Sequence, residues 1–355
     1  MHKRLAVLLV GMVWPAVFAG PAWSADVVYR KSSKIASQGR ITGISKTELT
    51  IQSRAKSKPV KKIPANDIKR VRWDKEPPAL NLVRINEQSG LLEKAFQGYT
   101  KALKGSGGSN RNLKTDLEFL LARTKAKMAL ADPTKINDAV NRLEAFRKSN
   151  ANHFRHYEAL DYLVRLYMAK NDYANARTVL NLSARAPWPD YKLAVKIVEA
   201  RLLLKEDKVA LALAAFGAIA NRPAQKPDEL NRRYEAMLGQ ATCLQQQKQL
   251  AEAVGVLEKI DEQAPPEERR LRAETYVRKG DCLRLMGKTK EAVLAYLHIE
   301  VLFSGEKALH AESLYQLSQL WVIVEEPGKA AATSAKLQAD YPDSKWAQKL
   351  AAGGG

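Results

Sequence analysis

The chain has 355 residues, 46% of them hydrophobic and 27% charged, a globular balance that allows more than one packed core. Aromatic residues are sparse at 7%, and the abundance of Ala, Leu, Lys and Glu favours helix. The net charge of +20 is uneven: residues 26–75 hold 14 Lys and Arg against 4 Asp and Glu. This density in a short segment predicts attraction to polyanions such as acidic glycans, anionic lipid or nucleic acid.

In chain order, Met1-His2-Lys3-Arg4 is a basic start, Leu5 to Gly20 is apolar, and Pro21 to Ala25 offers small residues for cleavage. Residues 1–25 are therefore expected to be an export signal. The apolar run is short for a membrane span and contains Pro15, and no later run is long and uncharged enough to cross a bilayer. The expected location is the periplasm or cell envelope, in soluble form after cleavage.

Residues 26–76 read as β structure. Asp26–Lys31, Arg40–Ile44, Glu48–Gln52, Val60–Ile63 and Lys69–Trp73 are short runs of alternating character, which predict a small, strongly curved barrel of about five strands. Its exposed cations Arg54, Lys56, Lys58, Lys61 and Lys62 are the candidate polyanion contacts. Glu76-Pro77-Pro78 closes the barrel, since proline cannot pair inside a sheet and suits a first helical turn.

Beyond 76 the periodicity is helical. The plainest stretch runs Tyr276, Gly280, Leu283, Gly287, Ala292, Tyr296 and Ile299, a bulky residue followed at +4, +7, +11, +16, +20 and +23 by the next packing positions. Gly280 allows close helix approach, Met286-Gly287-Lys288 ends the first helix, and Ala292 marks where the second crosses back. The crossing alanine recurs at Ala95, Ala139, Ala176, Ala212, Ala253, Ala292 and Ala330, at spacings of 44, 37, 36, 41, 39 and 38. Lys104 to Ser109 reads as a flexible joint, and residues 351–355 as a disordered tail.

The stretch from Tyr276 to Ile299 resembles a tetratricopeptide (TPR) unit, whose pattern places aromatic, Gly, Tyr, Ala and aromatic residues at these offsets. The resemblance implies a mainly α fold over residues 77–350, a right-handed solenoid of about seven helix pairs, because such a unit buries its apolar face only against stacked neighbours. The string Gly39 to Ile44, Leu49 to Ile51 and Ile63 to Ile68 resembles the Sm-like or SH3-like β domains that precede helical repeats in some exported bacterial proteins. The matching residues are structural glycines and strand positions, so RNA binding is not carried across. Ala339 to Ser344 resembles repeat boundaries of periplasmic TPR proteins.

In TPR solenoids the outer positions of each leading helix line the concave face. Mapped here they are Asp161, Arg165, Ile197, Arg201, Glu235, Thr242, Glu274, Arg284, Tyr315 and Gln319. The candidate partner-binding residues are Arg165, Arg201, Arg284 and Tyr315, with the arginines able to clamp an acidic peptide or C-terminal carboxylate. The competing reading is that they are solvated residues with local acidic partners.

Signals for chemistry are weak. The glycine-rich 104–109 segment lacks a Gly-Lys-Ser/Thr ending. His153 and His156 could share a face with Glu158, but read as ordinary surface histidines, and His298 and His310 have no evident acidic partner. No cofactor, metal or small-molecule substrate is expected, and no enzymatic activity. Cys243 and Cys282 stand ten residues before their crossing alanines. Equivalent positions on stacked repeats lie about 8–10 Å apart, beyond disulfide reach, so both are expected buried and unbridged.

Overall fold

The structure is a computed structural model that describes residues 25–53, 59–105, 110–224 and 227–353. The expected signal segment up to residue 24, Arg54, Lys56, Lys58 and the centre of the expected joint at 106–109 lie outside the described residues. The chain divides into two compact units, the first holding residues up to 124 together with 152–155 and the second the remainder.

The first unit is built on five antiparallel strands, β1 (Asp26–Arg30), β2 (Ser37–Ile44), β3 (Glu48–Gln52), β4 (Lys61–Pro64) and β5 (Ile68–Arg72), in the order β4-β3-β2-β1-β5. Alternation sets the faces: Ser37, Gly39 and Ile41 point inward on β2 while Gln38, Arg40 and Thr42 are exposed. Gly39 is required by backbone approach, since a Cβ there would lie 2.1 Å from the carbonyl oxygen of Gln52. Val28, Leu49, Ile51, Ile63, Val71 and Trp73 form the core.

The sheet is open, correcting the expectation of a closed barrel. The edge strands β4 and β5 share no ladder. Pro64 ends β4 without a donor, and the 3-10 turn Ala65–Asp67 then carries the chain directly to the opposite end of the strand order. Asp67 fastens this turn by accepting from Arg30 Nε at 2.6 Å and from the Ser32 amide at 2.8 Å.

This unit extends past the expected boundary at 76. It takes in α1 (Leu80–Gln88), α2 (Leu92–Gly105) and the part of α3 (Arg111–Ala131) up to Thr124. The reason is a buried polar network that follows the last strand. Arg84 of α1 grips both carboxylate oxygens of Glu76, at 2.6 and 2.8 Å, and donates to the Val71 carbonyl. Trp73 donates through Nε1 to Asp116 of α3 at 2.9 Å, and Arg155 Nε donates to the other oxygen of Asp116 at 2.9 Å. Burial raises the Asp116 pKa, but Arg155 and Trp73 outweigh it and hold the carboxyl below the usual carboxylate value.

The second unit continues with α4 (Ile136–Ser149), α5 (His156–Ala169), α6 (Tyr173–Ser183), α7 (Pro189–Lys205), α8 (Val209–Ala220), α9 (Pro227–Gln246), α10 (Leu250–Gln263), α11 (Arg269–Leu285), α12 (Thr289–Leu302), α13 (Lys307–Ile323), α14 (Pro327–Asp340) and α15 (Lys345–Gly353). The last helix runs three residues into the segment expected to be a disordered tail. Six of the crossing alanines have no exposed surface, and Ala330 has 8%.

Helix pairs close with one recurring turn. Gly90, Asn171, Asp207, Lys248, Gly287 and Glu325 all have positive φ, between 60° and 78°, and each lies five residues before its crossing alanine. The hydrogen bonds repeat as well: Asp172, Lys208, Gln249, Lys288 and Glu326 donate backbone N–H to the carbonyls of Tyr167, Leu203, Leu244, Leu283 and Trp321, at 2.8 to 3.0 Å. This is the Schellman ending, in which a left-handed residue lets the chain reverse and satisfies the last carbonyls of the leading helix. The pair α3 and α4 departs from it, turning through Asp132, whose side chain caps Thr134.

Glycines on leading helices admit the large residues of their partners. A Cβ at Gly239 would lie 2.4 Å from the Phe216 ring, and one at Gly280 would lie 2.6 Å from the Tyr296 ring. Cys243 and Cys282 are buried free thiols, and burial pushes both up to about 11.

Candidate partner-binding face

Leading helices α7, α9, α11 and α13 contact one another in sequence, so residues on their shared side form a continuous surface. Two ion pairs bridge neighbouring repeats on it. Arg201 of α7 reaches Glu235 of α9 at 3.3 Å, and Arg278 of α11 reaches Glu312 of α13 at 3.2 Å. Within helices, Arg165 pairs with Asp161 at 2.7 Å, Arg232 with Glu235 at 2.7 Å and Arg278 with Asp281 at 2.6 Å.

Burial and neighbouring charges shift several titratable groups along this surface. Asp161 keeps 44% side-chain exposure, yet burial raises its pKa despite Arg165 and Arg232 nearby. Burial also raises the Tyr191 phenol, assisted by Glu158, Asp161 and Asp190. Glu235 shifts the other way: burial opposes its charge, but Arg232 and Arg201 prevail and lower the pKa.

The expected site residues are placed unequally. Arg165 and Arg201 are exposed on the leading helices, but each already holds a carboxylate. Arg284 is exposed in the last turn of α11 beside the Tyr296 hydroxyl. Tyr315 is covered: Trp346 of α15 packs on its ring with centroids 5.2 Å apart, and Lys349 Nζ lies 4.9 Å from the ring centre. Ile197, expected on the face, is 1% exposed and belongs to the core. Thr242 bonds back to the Leu238 carbonyl of its own helix. Of the cations expected on the sheet, Lys61 and Lys62 are exposed, with Lys61 donating to Ser37 Oγ and Lys62 pairing with Glu48 at 3.0 Å.

Sequence reasoning missed Arg232, Arg278 and Glu312, which complete the charged lattice. Arg232 and Arg278 each stand three residues before the acidic group they hold, a spacing that shares one helix face. The histidines also differ from expectation. His153 is 7% exposed, not a surface residue, and His310 does have an acidic partner, with Nε2 2.5 Å from Glu300 and Nδ1 2.7 Å from the Tyr341 hydroxyl. Among the described residues no group of three His, Cys, Asp or Glu side chains is placed to hold a metal ion. No described helix is long and apolar enough to cross a membrane.

Residues 235–266, the second part of α9 with α10, match the family model for the tetratricopeptide repeat. A comparison with curated protein sequences finds no match. Among solved structures, a tetratricopeptide repeat protein from Parabacteroides merdae is similar at a TM-score of 0.50 and 15% identity, covering 76% of this chain and 95% of that one. A Rap protein complexed with Competence and Sporulation Factor is similar at 0.51 and 14% identity, covering 76% and 79%. PilW, a type IV pilus biogenesis factor, aligns at 0.43 and 17% identity, covering 68% and 99%. The crossing alanines, the repeated left-handed turn and the match at 235–266 together make this a chain with a tetratricopeptide repeat and an α-solenoid of the same fold.

Proposed function

We propose that the chain is a non-enzymatic, exported scaffold that binds a protein or peptide partner in the cell envelope along the leading-helix face. The observation that carries this reading is the pair of inter-repeat bridges, Arg201 to Glu235 and Arg278 to Glu312, which align charged side chains of successive repeats on one surface. A preorganised surface lowers the ordering cost of binding an extended ligand. Because Arg165 and Arg201 already hold carboxylates, an acidic ligand group would exchange with Asp161 and Glu235 instead of meeting bare cations. The export assignment rests on the basic and apolar N-terminal sequence.

The test is the double charge reversal Arg201→Glu and Arg284→Glu, followed by in-cell crosslinking and mass spectrometry of the envelope fraction. Loss of the partners recovered by the unaltered chain is expected. Unchanged recovery would remove the face from consideration.

A second reading is favoured by one feature of the sheet. Lys31, Lys34, Arg40, Lys46, Lys69 and Arg72 are all exposed around it, and nothing acidic pairs with them among the described residues. In this reading the sheet binds an anionic polymer or membrane surface, with Arg54, Lys56 and Lys58 of the β3 to β4 connection contributing. Such binding weakens steeply with salt, whereas recognition on the helical face is less salt-dependent to the extent that apolar anchors carry it.

A further inference from the structure

Away from the leading-helix face, the start of α7, the end of α8 and the start of α9 enclose a cavity of about 230 Å³. Its cationic lining is Lys192 and Lys196 of α7, Arg222 after α8 and Arg233 of α9, against one carboxylate, Glu229. Arg233 is held in place by its Nε, which donates to the Ala220 carbonyl at 2.8 Å, so the rest of its guanidinium is presented in a fixed direction. Lys192, Lys196 and Arg222 form no ion pair among the described residues, although acidic partners engage most arginines on the opposite face.

This arrangement does not serve the helix. Lys192 and Lys196 stand four residues apart, a repulsive spacing for like charges, and Lys192 lies in the first turn of α7, where the helix dipole disfavours a cation. An arrangement that works against local stability and converges on a concavity calls for an anion. Apolar walls from Leu193 and Ile219 close the cavity on the inside, which suits one compact charged group attached to an organic body and not a continuous polyanion strand.

We propose that this cavity is a binding site for a phosphomonoester group. Such a group is close to dianionic at neutral pH and offers three strong acceptor oxygens. It thereby engages more donors than a carboxylate does, and the four cations supply them. The site is independent of the leading-helix reading, since it uses none of its residues.

The test titrates the full chain with inorganic phosphate and with glycerol 3-phosphate, by calorimetry and by amide chemical-shift perturbation, at fixed ionic strength with chloride as the control anion. Saturable binding with shifts confined to the cavity residues is expected. Lys192→Gln with Lys196→Gln should weaken it by about tenfold or more, the effect of removing charge-assisted hydrogen bonds. Glu229→Gln should tighten it, which a folding defect would not do, and unchanged melting curves establish that both variants fold. Co-sedimentation with phosphatidylcholine vesicles containing phosphatidic acid separates the sources. Capture that is lost in the lysine variant identifies a lipid headgroup, and free-ligand binding without capture identifies a soluble phosphomonoester. Absence of saturable binding to every probe, or equal affinity in the lysine variant, would overturn the proposal.

Discussion

Replacing Gly280 by alanine tests whether close helix approach organises the repeats. The added Cβ would lie 2.6, 2.7 and 2.9 Å from three atoms of the Tyr296 ring, which has no exposed surface in which to move. Overpacking of this kind costs about 1–3 kcal/mol. Displacing the ring also strains the 2.7 Å bond from the Tyr296 hydroxyl to Asp281, a bond to a charged group that contributes about 1.5–3 kcal/mol. Alanine returns about 1 kcal/mol through helix propensity, leaving a net loss of about 1.5–5 kcal/mol. The control is Gly255→Ala in α10, where nothing lies within 4 Å of the new Cβ, so only the propensity gain remains. At about 2–4 °C per kcal/mol for a domain of this size, Gly280→Ala should melt well below the unaltered chain and Gly255→Ala slightly above it. Thermal melts should be paired with hydrogen exchange of α11 and α12, because repeat arrays need not unfold in one step. Equal melting of the two variants would refute the idea that Gly280 is there to admit the tyrosine.

Burial pushes His153 down to about 4 from 6.5, so its contribution to stability is complete above pH 6.5 and falls away as pH drops toward 4. A loss of up to about 3 kcal/mol across that window is expected in urea titrations, and His153→Asn should flatten it. Asp116 adds a second acid limb: its depressed pKa contributes stability above about 3.8 that disappears as pH falls through the folded value. At neutral pH, Asp116→Asn should cost about 3–5 kcal/mol by stranding buried Arg155. Cys243 and Cys282, with thiols raised to about 11, should resist a thiol reagent at pH 8 and both label after unfolding without reductant. Ending the chain at Ser344 removes α15 and uncovers Tyr315, so binding of a recovered partner should strengthen if that ring is an anchor and stay unchanged if it only seats the cap.

The helical part of the fold was legible because its determinants are local and repeat. Ala176, Ala212, Ala253 and Ala292 are fully buried where helices cross, and a helical period of apolar residues surrounds them. The open edge of the sheet was not legible, since short alternating strands are equally compatible with closure and Pro64 alone marks where the ladder stops. The site was half legible. Position within the motif placed Arg165 and Arg201 on the correct helices, but whether a side chain is free depends on neighbours such as Glu235, 34 residues away from Arg201. Tyr315 shows the same limit, because its covering comes from a terminal helix that belongs to no repeat.

The left-handed turn inside each pair has a consequence for how this architecture changes length. Its distance to the following alanine is five residues in six pairs, while the alanines themselves are 36 to 44 residues apart. From Ala176 onward the variation therefore lies outside the turn, and most of it is in helix length: α9 has 20 residues against 17 in α7, α11 and α13, and α6 has 11 against 14 in α10 and α12, while the connectors after α6, α8, α10 and α12 differ by only one or two residues. Each hairpin behaves as a tile fixed at its turn and trimmed at its outer ends, with a narrow line of grout between one tile and the next. Insertions, tags and crosslinkers placed at Arg185–Pro187 or Pro265–Glu267 should leave the tiles intact and alter only their mutual tilt, whereas one residue added beside Asn171 or Lys248 would unseat a whole tile.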